Sequence, residues 1–191
     1  CKVKILSIIP CKLDSKRLPK KNIQKIAGKT LIEHSIDLAK QSKYNPRIVL
    51  SSESNIVKDI ADKNNVDFSL REGSMCGDTE VVDVYVQLLK KIGETFDLVV
   101  CLQPDHPDRE FDFDYYVDYM LENNYDDLIT IEPTFKRSGS VRIFKYNHLI
   151  SGNVSKRIGC LKDDATDIHY KNDLQKAEIS FHLKRENLTE V

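Results

Sequence analysis

Two short, almost unbroken apolar runs constrain this chain more than anything else in it: VKILSIIP at residues 3–10 and DLVVCL at 97–102. Neither alternates with polar residues, so neither has a wet face. Runs of this length read as strands covered on both sides, the situation of a parallel sheet. Segments with helical spacing lie between and after them. Leu31, Ile32, Ile36, Leu38 and Ala39 predict a helix over 31–41, and Ser54 caps another over 55–63. Asp78 or Thr79 opens a helix over 80–92 with Val81, Val84, Leu88 and Ile92 as its buried stripe. Two more helices are predicted over 112–123 and 172–180, and further strands over 47–51, 66–70 and 127–132, with weaker ones at 141–145 and 158–161. Strand and helix alternate through residue 132. The expected fold is therefore α/β, a Rossmann-like, mainly parallel sheet flanked by helices, as one domain over residues 1–191.

Ligands of such sheets bind beyond the carboxyl ends of the strands. The segments to search follow Pro10, Ser51, Leu70, Leu102 and Glu132. Charge narrows the choice of ligand. Lys plus Arg is 29 and Asp plus Glu is 30, a net charge of −1, so no global field draws this chain to nucleic acid or to an anionic membrane. No run of 18 apolar residues occurs, and the first apolar run is too short for a secretory signal core. The five cysteines, Cys1, Cys11, Cys76, Cys101 and Cys160, are odd in number and irregularly spaced, with no CxxC. They argue against a disulfide framework or a zinc site and lead us to expect a cytoplasmic protein.

The loop after the first strand breaks the overall neutrality. PCKLDSKRLPKKN carries Lys12, Lys16, Arg17, Lys20 and Lys21, five cations in ten residues at a strand's carboxyl end, with the Ser15 hydroxyl among them. An anion site and a solvated basic loop both fit that charge. Familiar phosphate loops do not: GxGxxG is absent, and Gly28-Lys29-Thr30 imitates a P-loop but has Ile23 where the motif needs glycine.

IIPCKLDSKRLPKKNIQKIAGKTLIEHSI closely resembles the opening of the sugar-acid cytidylyltransferases, the CMP-acylneuraminate and CMP-KDO synthetases, at Ser15, Arg17, Pro19, Lys21, Asn22, Gly28, Lys29, Leu31 and Ile32. Cys11 stands for the usual Ala. Lys12 stands for an Arg, keeping the charge and giving up the bidentate fork. The resemblance continues through SLREGSMCGDT, with Arg71 and Asp78, and through Leu102–Pro107. It returns at ATDIHYKNDLQKAE, where Asp167 matches a metal-binding Asp and His169 stands where a second carboxylate is usual. It implies a nucleotide-diphospho-sugar transferase type of fold (GT-A-like) and transfer of CMP from CTP to a nonulosonate- or KDO-like acceptor with release of pyrophosphate. Lys12, Arg17, Lys21 and Asp105 would form the catalytic set. Ser15, Asn22, Arg71 and Asp78 would join those cations at the nucleotide, and Gln103 would face the acceptor. Asp105, Asp167 and His169 would form the metal site, with Mg2+ the expected ion and Mn2+ favoured if His169 is a ligand. A shortened acceptor and dimerisation region around residues 133–164 implies a monomer or weak homodimer.

Two other readings stay open on the sequence. Asp112 and Asp114 form a DxD pattern of the kind that holds manganese in nucleotide-sugar glycosyltransferases, although acidic residues also favour a helix N-terminus. The departures at Lys12, at His169 and at Val82, in the stretch after Thr79 where the resembled family often has small hydroxyl residues, would suit a nucleotide-binding homologue without activity. Asp105 beside Pro107 also suits a simple turn cap.

Overall fold

The computed structural model describes residues 2–71 and 81–189. Asp78, Thr79, Glu80 and Cys76 lie outside them. A seven-stranded sheet runs in the order β5-β4-β1-β6-β8-β7-β9. Inside it β1 (Ile5–Pro10) is buried at every residue and parallel to both neighbours, β4 (Arg47–Ser52) and the middle strand β6 (Leu98–Leu102). β5 (Asp67–Leu70) adds one parallel edge, and β7 (Asp127–Ile131) with β9 (Ile158–Lys162) forms the other.

The two-residue period of the central strands divides the core between the sheet's faces. Ile5 and Ile9 of β1, with Leu98, Val100 and Leu102 of β6, meet α1 (Leu31–Lys40), α2 (Asn55–Lys63) and α4 (Phe113–Asn123). Leu6, Ile8, Val99 and Cys101 turn the other way onto Tyr85, Leu88 and Leu89 of α3 (Val81–Ile92). The helix starts obey local rules. Thr30 and Glu33 close a capping box on α1, and Ser54 caps α2. Before α1, β2 (Lys25–Ile26) and β3 (Lys29–Thr30) make a small hairpin whose two turn residues, Ala27 and Gly28, have φ of 47° and 79°. That left-handed pair is what a two-residue hairpin demands, so the glycine of the P-loop mimic serves a turn.

Three elements depart from the sequence reading. β8 (Arg137–Lys145) starts four residues earlier than the predicted 141–145 and runs antiparallel to both neighbours, the one reversed strand of the large sheet among the described residues. A short turn reverses the chain there, with the Phe135 amide donating to the Glu132 carbonyl at 2.8 Å. A short α5 (Tyr146–Ser151) follows where no helix was read. The last helix, α6 (Lys171–Thr189), runs nine residues past the predicted end. Its apolar stripe is narrow: among the described residues Leu174, Ala177 and Phe181 are the ones that pack with Leu18, Ile26 and Leu31. Among the described residues no helix is long and apolar enough to cross a membrane.

Candidate active site

Because β1, β4, β6 and β7 point the same way, the segments that follow them meet at one edge of the sheet. The loop after β1 is anchored at its start: the Cys11 amide donates to the Ser51 carbonyl at 2.8 Å, and the Cys11 thiol donates to Ile9 O at 3.1 Å. Burial pushes that thiol far above its usual range, so Cys11 acts as a small apolar residue. Beyond it the loop opens outward. Arg17 is exposed, Ser15 is half-buried, and Lys12 Nζ lies 3.4 Å from Asp14. Asn22 is buried and donates its amide to Lys12 O at 2.7 Å, so it holds the loop's backbone instead of facing outward.

Lys21 differs from the other loop cations. A single 3-10 turn, Lys21–Ile23, carries it inward, and its Nζ lies 3.1 Å from Asp105 Oδ2 with only 15% of its side chain exposed. Lys20, just before it, takes a left-handed φ of 52° and faces solvent.

Asp105 follows β6. His106 Nδ1 lies 2.8 Å from its Oδ1, and His106 Nε2 lies 3.6 Å from Asp167 Oδ1. His169 Nε2 lies 2.8 Å from the other Asp167 oxygen. Five side chains thus alternate in charge type: Lys21, Asp105, His106, Asp167, His169. Burial opposes the charged form of Asp105, but His106 and then Lys21 outweigh it and hold this carboxyl well below the usual carboxylate range.

A buried clamp joins the two segments. The Ile168 amide donates to Asp105 O at 3.1 Å. Asp108, 1% exposed, accepts from the Thr166 amide and hydroxyl, both at 2.8 Å. Asp163, fully buried, accepts from the Glu110 amide at 3.0 Å, Tyr116 Oη at 2.8 Å and Ser140 Oγ at 2.5 Å. Arg109 donates to Gln103 O at 2.7 Å and Ser140 O at 3.0 Å, fixing the chain as it leaves β6. From α6, Lys184 donates to the carbonyls of both Asp108 and Asp164.

The remaining predicted residues line two separate clefts. Arg71 donates to Ser51 Oγ at 3.2 Å and borders a 350 Å³ cleft with Ser69, Leu88 and Lys91. Gln103 borders a 360 Å³ cleft with Val82, Tyr85, Arg137 and Arg142. Gly139 makes room for it: a Cβ there would sit 2.1 Å from Gln103 Oε1. The DxD pair is occupied elsewhere. Asp112 caps α4 by accepting from the Tyr115 amide, and Asp114 accepts from Ser42 Oγ and the Lys43 amide.

His106 was not singled out from the sequence, and neither was the clamp. A histidine immediately after the central strand's Asp and enclosed by Pro104 and Pro107 was the available signal. Lys184 offered none, because it donates to two backbone carbonyls and lies 3.7 Å from a carboxylate, Asp108, 76 residues away in sequence.

An α/β sheet with a basic loop and a carboxylate pair at its carboxyl edge defines a nucleotide-handling protein. Comparison with known sequences makes this specific. The family described as Cytidylyltransferase matches residues 6–152, and this chain belongs to the cytidylyltransferase family. The CMP-N,N'-diacetyllegionaminic acid synthase of Legionella pneumophila is 38% identical over 113 residues, 56% of this chain and 49% of that protein. The pseudaminic acid cytidylyltransferase of Campylobacter jejuni is 34% identical over 110 residues, 55% of this chain and 47% of that one. The chain thus spans about half the length of these curated relatives. Among solved structures, a CMP:2-keto-3-deoxy-manno-octonic acid synthetase complexed with CTP superposes with a TM-score of 0.71 at 14% identity, covering 98% of this chain and all of that one. A cytidylyltransferase of Leptospira borgpetersenii gives 0.69 at 17% identity, covering 98% and 94%. At such identities the two structures establish the shared fold.

Proposed function

We propose that this chain transfers CMP from CTP to a sugar acid of the nonulosonate or KDO kind, releasing pyrophosphate. The observation that carries the reading is the meeting of Lys21, Asp105 and Asp167 at the sheet edge beside the basic loop. An acceptor hydroxyl oxygen attacks the α-phosphorus of CTP, the bond from that phosphorus to the oxygen bridging it to the β-phosphate breaks so that pyrophosphate leaves with that oxygen, and the hydroxyl proton passes to solvent.

Lys12, Ser15 and Arg17 would draw the triphosphate into the loop, and Lys21 would meet it at the reacting end. Asp105 and Asp167 suit Mg2+. One ligand atom from each of Asp105, His106 and Asp167 lies within 4.8 Å of the other two, and Asp105 Oδ1 is buried without a hydrogen-bond partner. When bound, such an ion neutralises charge on the α-phosphate and the departing pyrophosphate. Arg71 would lie toward the nucleoside, and Gln103 with Arg137 would receive the acidic acceptor in the 360 Å³ cleft. No covalent intermediate is needed, so positioning carries the rate. With Asp112 and Asp114 engaged in helix capping and a loop contact, the glycosyltransferase reading loses its metal ligands. The turn of only a few residues between β7 and β8 favours a monomer or weak homodimer, and we place the enzyme in the cytoplasm, with neither nucleic acid nor membrane as partner.

The test is pyrophosphate release from CTP with a panel of 2-keto sugar acids at saturating metal. Asp105→Asn and Asp167→Asn should each reduce the rate by about a thousandfold, the scale of losing an electrostatic stabiliser of the transition state. Full activity in either variant overturns the proposal.

A further inference from the structure

We infer that His106 is a direct ligand of the metal ion and that it turns an all-oxygen magnesium site into one that prefers manganese. This rests on reading Asp105 and Asp167 as a metal centre, and it deepens that reading.

His106 is 2% exposed, and neither ring nitrogen has a hydrogen-bond partner. A buried imidazole left in that state is costly, because each nitrogen forfeits the water it would otherwise bind. Its surroundings are nonetheless polar. Nδ1 lies 2.8 Å from Asp105 Oδ1, which is itself buried and unpartnered, yet the two are not aligned as a hydrogen bond. A cation bound to both atoms would satisfy these two buried, unpartnered groups at once. Neighbouring ligands of one six-coordinate ion with bonds of about 2.1 Å stand about 3 Å apart, close to the separation seen here. Nε2 faces Asp167 at 3.6 Å, so the imidazole stands between the two carboxylates that flank the site.

Its backbone leaves the ring little freedom. Pro104 and Pro107 enclose the dipeptide, the Asp105 carbonyl is tied to Ile168, and Arg109 holds the Gln103 carbonyl. His169 has a different part. Its Nε2 rests on the far Asp167 oxygen at 2.8 Å, the arrangement by which a neighbouring imidazole orients a ligating carboxylate. Two carboxylates and one imidazole form a mixed oxygen and nitrogen set. Magnesium prefers oxygen ligands and retained water, whereas manganese accepts imidazole more readily.

The experiment uses the full chain stripped of metal with a chelator, and manganese alone, with no nucleotide. Titration followed by electron paramagnetic resonance should show manganese binding at least ten times more tightly than magnesium, measured by competition. Pulsed resonance on the wild-type chain should show a 14N coupling to the bound ion, replaced by a 15N coupling after 15N-histidine labelling. His169→Asn should keep that coupling. His106→Asn should lose it and weaken manganese at least tenfold while changing magnesium less than twofold. If His106→Asn fails to fold, the labelled wild type and His169→Asn decide the matter by themselves. Absence of any nitrogen coupling, its loss in His169→Asn, or equal affinity for the two metals overturns the inference. Such a result leaves His106 as a side chain that stands between the two carboxylates without a metal. Because no nucleotide is present, nitrogen coupling without CMP transfer would remove the proposed function alone, and CMP transfer without nitrogen coupling would remove this inference alone.

Discussion

The loop at residues 11–20 and the corner formed by residues 105–110 and 163–169 face each other across the site with opposite charge, and the chain holds them in opposite ways. The loop is fixed at its root by Cys11 and near its end by Asn22, and between them its cations lie half-buried or exposed. In the corner, buried Asp108, Arg109 and Asp163 are each bonded at two or more points, and Lys184 adds a further tie from α6. Cations on long side chains can close around a polyphosphate after it arrives. A set of metal ligands must stand in place beforehand, since small errors in ligand position weaken binding and catalysis. The contrast therefore separates an adaptable region from a preorganised one, and Lys21, directly after the loop, reaches the corner.

The contrast can be broken most forcefully at Asp163. Asp163→Ala leaves Tyr116 Oη, Ser140 Oγ and the Glu110 amide buried without their acceptor, so it should destabilise the fold by about 3 kcal/mol or more. Urea denaturation measures this, and a loss under 1 kcal/mol would mean the corner is not a rigid unit. Lys21→Ala then sharpens the boundary between the regions. It should weaken CTP binding by the roughly 1.5–3 kcal/mol of one charge-assisted contact, while Lys20→Ala changes it little. Titration calorimetry that gives equal losses would place both lysines in the adaptable loop.

The smallest effect is a pH slope behind the corner. His34, buried against Phe181 of α6, bonds the Ile26 carbonyl at 2.8 Å. Burial lowers its pKa from 6.5, and the Ile26 hydrogen bond only partly offsets that. The unfolded chain then takes up a proton at a pH where the folded chain does not, so this contribution is complete above the unfolded value. It declines as pH falls from about 6.5 toward the folded pKa. Urea melts between pH 8 and 5 should show that decline, and His34→Gln should flatten it. An unchanged slope in the variant would move its origin elsewhere.

The parts of this architecture visible in the sequence are those written in local periodicity. β1, β4 and β6 announce themselves as apolar runs, and α1 by its stripe. β8 showed only its second half, 141–145, because the RSGS that opens it mixes serine and arginine into a strand that is covered by virtue of its place between β6 and β7. The length of α6 was hidden for a related reason. Its second half is held by Phe181 against His34 and by Lys184 on backbone carbonyls, contacts that no helical stripe encodes. At the site, the resemblance pointed to Lys21, Asp105, Asp167 and His169, which the fold brings into contact. It did not single out His106, which lies between Asp105 and Asp167 in the fold. Asn22 has a part the resemblance does not describe: its amide nitrogen ties down the loop at Lys12 O, while its amide oxygen stays without a hydrogen-bond partner.

The Lys184 tie has a consequence for how the enzyme comes into being. It closes on the Asp108 carbonyl across 76 residues of sequence, whereas the loop after β1 is anchored to β4 within the first third of the chain. Chains are made from the N-terminus at about 5–20 residues per second, so β1, β4 and their basic loop are complete well before α6 emerges. A ribosome-bound chain would carry the basic loop already anchored to β4 and gain the Lys184 tie across the acidic corner only once α6 has emerged.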